Sequence, residues 1–150
     1  MTATTVRHPA VSGRFYPDNP EILREEVRTY LDQPPPHNPV QAIGCIAPHA
    51  GYVYSGHVAG AVFAALEIPK LCIVMCPNHT GMGRPLAIMS EGMWQNPLGA
   101  VSIASELAAS LKQTCPILRK TLRPTATSTR LKWSCRFFKC ASPASPSYPS

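Results

Sequence analysis

The chain has 150 residues, of which 45% are hydrophobic, and a formal net charge of +6 at pH 7. This length fits one domain with a modest core, and the apolar content excludes a wholly disordered chain. No apolar run reaches the length of a membrane-spanning helix, and the N-terminus lacks the charged-then-apolar order of a signal peptide. We therefore expect a cytoplasmic protein that does not enter a membrane, and we expect its six cysteines to be buried thiols.

The positive charge is confined to one end of the chain. Residues 1–118 contain seven Lys or Arg and eight Asp or Glu, whereas residues 119–150 contain seven Lys or Arg and no acid. A basic chain usually suggests nucleic-acid binding. Here only residues 119–150 would support that function, and they show no sustained hydrophobic period. We interpret them as an irregular basic tail that follows a domain of residues 1–118.

The elements predicted in chain order alternate between helices and apolar strands. Helical spacing of apolar residues, with Pro20 near the start, predicts a first helix over residues 19–33. The elements predicted after it are a buried strand at 40–47, a helix at 56–67, a second buried strand at 70–76, a third strand at 85–90, and a strand followed by a helix over 101–113. This order predicts an α/β fold with a mostly parallel sheet and flanking helices, in which the strands near 41–47 and 70–76 are parallel.

Two histidines follow the two buried strands of this prediction. His49 lies in "APHAGY" after the first, and His79 lies in "CPNHTG" after the second. Loops at the carboxyl ends of neighbouring parallel strands face one crevice, where such folds bind ligands. Two imidazoles in that crevice could share a divalent metal, with a third ligand from elsewhere. The alternative is that each histidine stabilises its own turn through hydrogen bonds, and the spacing alone leaves both open.

Several other polar side chains fall near the predicted crevice. The candidates for lining it are Arg14, Tyr16, Tyr52, Tyr54, His57, Asn78 and Thr80. The alternative for Arg14 and Tyr16 is that they hold the N-terminal arm in place. We expect His8 and His37, which flank prolines in predicted loops, to be exposed to solvent.

Four motifs in order resemble the Memo family, whose microbial members are called AmmeMemoRadiSam system protein B. They are "VRHPAVSGRFYP", "APHAGYVYSGHVAG", "CPNHTGMGRPLAIMSEGMWQNPLGAV" and "ELAASL", and together they span about residues 6–118. The resemblance implies an α/β fold similar to class III extradiol dioxygenases, which use non-haem iron. It also implies that His49 and His79 bind iron or copper, and that a cysteine from the C-terminal half of the family fold adds a further ligand.

The same resemblance leaves two functions open. One is a metal-dependent redox enzyme of the dioxygenase-like class. The other is a non-catalytic partner or scaffold that works with a radical-SAM enzyme and an AMMECR1-like protein, as the family's system name implies.

The tail lacks the segment that the resemblance leads us to expect. Family members continue with a segment like "HRYEHSLEVQLPFL", and codons permitted for Arg123 to Ser150 allow "HRYEHSLEVELPVL" when they are read one base out of frame. Trp133 has a single codon, which restricts chance agreement. We therefore hypothesise a frame change near residues 119–123, biological or from sequencing, with a genuine basic tail as the alternative. On this hypothesis the protein is truncated, binds iron or copper weakly if at all, and does not bind nucleic acid; the nucleotide sequence of the gene decides it.

Overall fold

A computed structural model describes residues 5–32, 38–76 and 86–120, which form a mixed α/β fold. Three helices lie in this part of the chain: α1 (Pro20–Leu31), α2 (Tyr52–Ala64) and α3 (Ser105–Thr114). It also contains five short strands: β1 (Val6–Arg7), β2 (Ala87–Ile88), β3 (Met93–Asn96), β4 (Gly99–Ser102) and β5 (Arg119–Lys120). The α/β fold class is as predicted. The predicted tail beyond residue 120 lies outside the described residues.

The strands form two small sheets. In the first, β3 lies between β1 and β4 and pairs in parallel with β1 and antiparallel with β4. Gly99 adopts a φ of +137° in the tight connection between β3 and β4, which a residue with a Cβ would rarely adopt. The second sheet pairs β2 in parallel with β5, so Arg119 and Lys120 are part of the ordered fold. Among the described residues, parallel pairing therefore occurs in two of three strand pairs.

Helix α1 forms close to where the sequence predicts it because its start is specified locally. The Asn19 side chain accepts hydrogen bonds from the backbone N–H groups of Glu21 and Ile22, at 2.9 and 3.0 Å. Pro20 occupies the first helical position. A backbone N–H there would have no acceptor within the helix, so proline costs the helix no hydrogen bond. Leu23 and Val27, four residues apart, are buried on one face of the helix.

The core lies between α1, α2 and the loop that precedes α1. Its buried members are Val11, Tyr16, Leu23, Val27, Tyr52, Ala59 and Phe63. The helices approach closely where α2 carries Gly56 and Gly60: a Cβ at Gly56 would lie 2.5 Å from the Tyr30 ring, and a Cβ at Gly60 would overlap the Tyr30 backbone carbonyl. These two glycines allow α2 to pack closely against α1.

The two buried strands predicted at 40–47 and 70–76 are wrong. Only Val40 makes a bridge, to Leu66, and the remainder of both segments has no strand structure. Ile43 and Ile46 are exposed, as are Leu71, Ile73 and Met75. A strand exists only when neighbouring strands bond its N–H and C=O groups, and the described residues provide no such neighbours for these segments. The parallel pairing predicted between them is wrong for the same reason.

The later predictions agree better with the structure. Strand β2 lies within the predicted 85–90 strand, and β4 followed by α3 confirms the strand and helix predicted over 101–113. The expectation that the cysteines are buried is wrong at Cys45, whose thiol is exposed within the segment that does not pair. Within the described ranges, no helix has both the length and the apolar composition needed to cross a membrane.

Candidate functional site

His49 lies half-buried at the start of α2, between two anchored points of the chain. Ala47 packs against the hydrophobic core on one side, and Tyr52 enters that core on the other. The Tyr52 backbone N–H donates a hydrogen bond to the Phe15 carbonyl at 3.0 Å. The intervening Gly51 fits closely, since a Cβ there would lie 3.3 Å from the Phe15 ring. Packing against the 11–16 loop therefore fixes the backbone that carries His49.

Two of the predicted pocket residues, Tyr16 and Tyr52, come together in the core. Their ring centroids are 6.1 Å apart, and both side chains are almost completely buried. Tyr52 also meets the Tyr30 ring edge to face, with centroids 5.8 Å apart. Arg14 is exposed in the turn before Tyr16. Tyr16 and Tyr52 thus fix the position of the N-terminal loop against α2, which is the alternative weighed for Tyr16 from the sequence.

Tyr54 and His57 lie on the solvent-exposed face of α2. His57 does not open the helix, because α2 begins at Tyr52, one turn before the predicted start at residue 56. Val53 and Val58 are exposed beside them. His8 is exposed after β1, as predicted.

The second half of the predicted metal site lies outside the described residues. His79 and its neighbours Asn78 and Thr80 are not among the described residues, and neither is His37. The convergence of His49 and His79 on one metal therefore stays a prediction. Within residues 5–32, 38–76 and 86–120, no group of three or more His, Cys, Asp or Glu side chains could hold a metal ion. A site with three such ligands that included His49 would therefore need at least one ligand from outside the described residues.

A polar cluster between α1 and α2 was missed by the sequence analysis. The Tyr30 hydroxyl donates a hydrogen bond to the Glu26 carboxylate at 2.9 Å and lies 3.4 Å from the Tyr52 carbonyl oxygen. Among the described residues, neither the second Glu26 carboxylate oxygen nor the Ser55 hydroxyl, both of which are buried, has a hydrogen-bond partner. Glu26 and Tyr30 are four residues apart on one helix, a spacing that places side chains together.

Burial and Glu26 together raise the pKa values of two tyrosines in this cluster. Burial raises the pKa of Tyr30 from 10.0 to about 12, and both the hydrogen bond to Glu26 and the negative charge of Glu26 add to the increase. Burial also raises the pKa of Tyr52, with smaller contributions from Glu26 and Tyr30. Each phenol therefore stays protonated in the folded chain at a pH where it ionises in the unfolded chain.

Below pH 10 we expect the ionisation of these two tyrosines to have no effect on the free energy of unfolding. As the pH rises from 10 towards 12, we expect the free energy of unfolding to fall. Above the unfolded pKa the unfolded state loses protons that the folded state keeps, which favours unfolding. Urea unfolding at a series of pH values measures the decrease. Tyr30→Phe should make it shallower, whereas Tyr54→Phe, on the exposed face of α2, should leave it unchanged. An identical decrease in the wild type and the Tyr30→Phe variant would contradict this explanation.

The structure defines a mixed α/β protein in which a histidine that follows a proline lies at the start of a helix capped by glycine. Residues 7–132 match the family of Memo-like proteins, and the chain belongs to the Memo family. It is 40% identical over 116 residues to a MEMO1 family protein of Methanothermobacter thermautotrophicus, which covers 71% of this chain and 42% of that protein. The match to a MEMO1 family protein of Methanopyrus kandleri is 39% identical over 123 residues, or 75% of this chain and 44% of that protein.

A bacterial relative gives the same result. A MEMO1 family protein of Aquifex aeolicus is 40% identical over 102 residues, which cover 68% of this chain and 38% of that protein. The chain therefore spans about two fifths of the length of these relatives. The family match ends within the segment that we hypothesise to be read out of frame.

Proposed function

We propose that this chain carries part of a Memo-like metal site in which His49 and His79 are ligands for iron or copper. The observation that carries the proposal is the position of His49 in a chain of this family: half-buried, and held by the packing of Ala47 and Tyr52. Imidazole nitrogen is a common ligand of both metals. The proposal assigns the second ligand position to His79 because its sequence context, "CPNHTG", resembles the "APHAGY" context of His49.

The donor set suits a metal that must bind oxygen or substrate as well as protein. Two neutral imidazoles and one anionic ligand leave positions open on an iron centre. The third ligand must come from outside the described residues, which contain no sufficient cluster. We propose that it comes from the part of the Memo fold that the match to the relatives does not cover. The reaction proposed is a non-haem redox reaction of the dioxygenase-like type, on a fold similar to class III extradiol dioxygenases.

The frame change near residues 119–123 is part of the same proposal. A chain that lacks the third ligand would hold the metal only through two imidazoles, and we therefore propose that it binds iron or copper weakly. The appropriate protein for testing the function is one expressed from a gene in which the reading frame is restored.

A second candidate function is a partner or scaffold protein that acts with a radical-SAM enzyme and an AMMECR1-like protein. The exposed face of α2 supports it, because Val53, Tyr54 and Val58 all project into solvent within two turns. Neighbouring exposed apolar side chains are typical of protein interaction sites.

An oxygen-consumption assay separates the two functions. The frame-restored protein is loaded with ferrous iron, freed of excess metal, and mixed with a panel of aromatic diols. We expect oxygen uptake that depends on the diol, is abolished in His49→Ala and is unchanged in His8→Ala. If the protein retains iron but consumes no oxygen with any diol, the enzymatic proposal is wrong and the partner function is favoured.

A further inference from the structure

We propose that Tyr30 is a redox-active tyrosine that gives up one electron and passes its phenolic proton to Glu26. The electron leaves through the neighbouring ring of Tyr52 towards a one-electron oxidant at the site that carries His49. The source of that oxidant rests on the proposed metal function, whereas the oxidation of Tyr30 itself rests on the geometry of the polar cluster between α1 and α2.

Glu26 is placed to accept the proton of Tyr30. The Tyr30 hydroxyl donates a hydrogen bond to Glu26 Oε1 at 2.9 Å, within the range of about 2.6–3.2 Å over which a positioned base takes a proton. Burial, the hydrogen bond to Glu26 and the charge of Glu26 raise the pKa of Tyr30 to about 12, so the phenol keeps its proton at neutral pH. A protonated phenol gives up an electron readily only when a base takes its proton, and Glu26 is such a base in direct contact.

A structural role alone does not explain the second oxygen of this carboxylate. Glu26 Oε2 is buried and, among the described residues, has no hydrogen-bond partner. Burying a polar atom without a partner costs stability, and such costs are typical of functional groups. A glutamate at this position therefore indicates a use for the carboxylate beyond the packing of α1 on α2.

The ring of Tyr52 gives the electron a path. It meets the Tyr30 ring edge to face with centroids 5.8 Å apart, inside the range of about 4.5–7 Å for aromatic rings in contact. Tyr52 follows His49 by three residues, so their Cα atoms are at most about 11 Å apart. Tyr52 thus connects Tyr30 with the segment that carries the proposed metal ligand.

The step conserves electrons, protons and charge. The O–H bond of Tyr30 breaks, one electron passes to the oxidant and reduces it, and the proton forms a new O–H bond at Glu26 Oε1. The products at the cluster are a neutral tyrosyl radical and a neutral carboxylic acid, so no charge is left buried there. Return of one electron, with the proton moving back from Glu26, regenerates the starting pair.

Photo-oxidation of the full 150-residue chain tests the proposal without any bound metal. The reference protein carries Tyr54→Phe and Tyr148→Phe, which leaves Tyr16, Tyr30 and Tyr52 as its tyrosines. Flash-generated ruthenium(III) tris(bipyridine) supplies the one-electron oxidant, and electron paramagnetic resonance of freeze-trapped samples measures the radical. Ring-deuterated tyrosine narrows only a tyrosyl signal, which separates it from signals of tryptophan and cysteine. We expect a tyrosyl radical that forms more slowly in D₂O than in H₂O, because a proton moves in the same step.

Two substitutions and a matched control locate the radical and its proton acceptor. Tyr30→Phe should remove most of the signal. A positioned base contributes about 100-fold or more to the rate of a proton transfer, so Glu26→Gln should lower the yield shortly after the flash by at least about tenfold. Glu25→Gln, at the exposed neighbouring position on α1, should leave the yield unchanged. Circular dichroism of each variant checks that the chain keeps its structure.

Absence of a tyrosyl radical in the reference protein would overturn the proposal, as would an undiminished signal in Tyr30→Phe or equal losses in Glu25→Gln and Glu26→Gln. Equal rates of formation in H₂O and D₂O would also overturn it, and that comparison decides the question even if a substitution in the cluster alters the fold. None of these measurements involves iron or copper, so none of their results bears on the proposed metal ligands. A radical at Tyr30 in a protein that retains no iron when frame-restored would leave this proposal standing and refute the metal function alone.

Discussion

Replacing Gly60 with alanine should destabilise the chain strongly. The added Cβ would overlap the backbone carbonyl of Tyr30 and lie 2.8 Å from the Tyr30 Cβ. Neither atom can move without shifting α1 away from α2, and these two helices supply most of the core. Alanine improves helix propensity by about 1 kcal/mol, but overpacking that requires a backbone shift costs about 3 kcal/mol. We expect a net loss of about 2 kcal/mol in the free energy of unfolding.

Urea unfolding followed by circular dichroism measures this loss, and two other glycines provide a graded comparison. Gly56→Ala should destabilise less, because the three atoms nearest to its Cβ all belong to the Tyr30 ring, which can shift more readily than backbone. Gly44→Ala is the matched control, since no atom of the described residues, apart from those of Gly44 and its two chain neighbours, lies within 4 Å of the added Cβ. A Gly60→Ala variant as stable as the Gly44→Ala variant would show that the helices are not in close contact at this point.

Local signals made α1 predictable from the sequence. Asn19 and Pro20 specify its start, and Leu23 and Val27 identify its buried face. The predicted limits of 19–33 differ from the observed Pro20–Leu31 by no more than two residues at each end. All of these features depend on residues close together in the chain.

The start of α2 depended instead on residues distant in sequence. The segment from Tyr52 to Ser55 has no capping side chain before it, and Gly51 at the cap makes no side-chain hydrogen bond. The burial of Tyr52 against Tyr16, together with the hydrogen bond from its N–H to Phe15, holds this first turn in place. Sequence periodicity contains no information about that contact, so the predicted helix began one turn late.

The two wrong strands show the same limit more strongly. Residues 43–46 and 71–75 have the composition of buried strands, but composition cannot supply a pairing partner. Their apolar side chains remain exposed in the structure, and ahead of the first segment the pairing among the described residues ends at Val40. The convergence of His49 and His79 was inferred from pairing between these segments, which is why the sequence could identify the candidate ligands but not their separation.

Only part of the polar cluster between α1 and α2 could have been predicted from the sequence. The spacing of Glu26 and Tyr30 would have allowed their hydrogen bond to be anticipated. The burial of that pair against Tyr52 follows from the packing of α1 on α2, which brings Tyr30 against the Tyr52 ring.

Loss of metal should follow the removal of either proposed ligand in the frame-restored protein. With three protein ligands, deletion of one imidazole leaves two, and even the loss of residues that only orient a ligand weakens metal binding by about 10–100-fold. His49→Ala and His79→Ala should therefore each weaken binding by at least about 100-fold. His8→Ala and His37→Ala are the matched controls, since His8 is exposed and His37 lies outside the two sequence motifs that contain His49 and His79.

The metal content of these four variants is the most direct test of the proposed site. Each protein is loaded with ferrous iron under anaerobic conditions, desalted and measured by elemental analysis against the unsubstituted, frame-restored protein. We predict about one iron ion per chain in the unsubstituted protein and in His8→Ala and His37→Ala, and almost none in His49→Ala and His79→Ala. Equal iron content in all four variants, whether retained or lost, would contradict the assignment of His49 and His79 as the metal ligands.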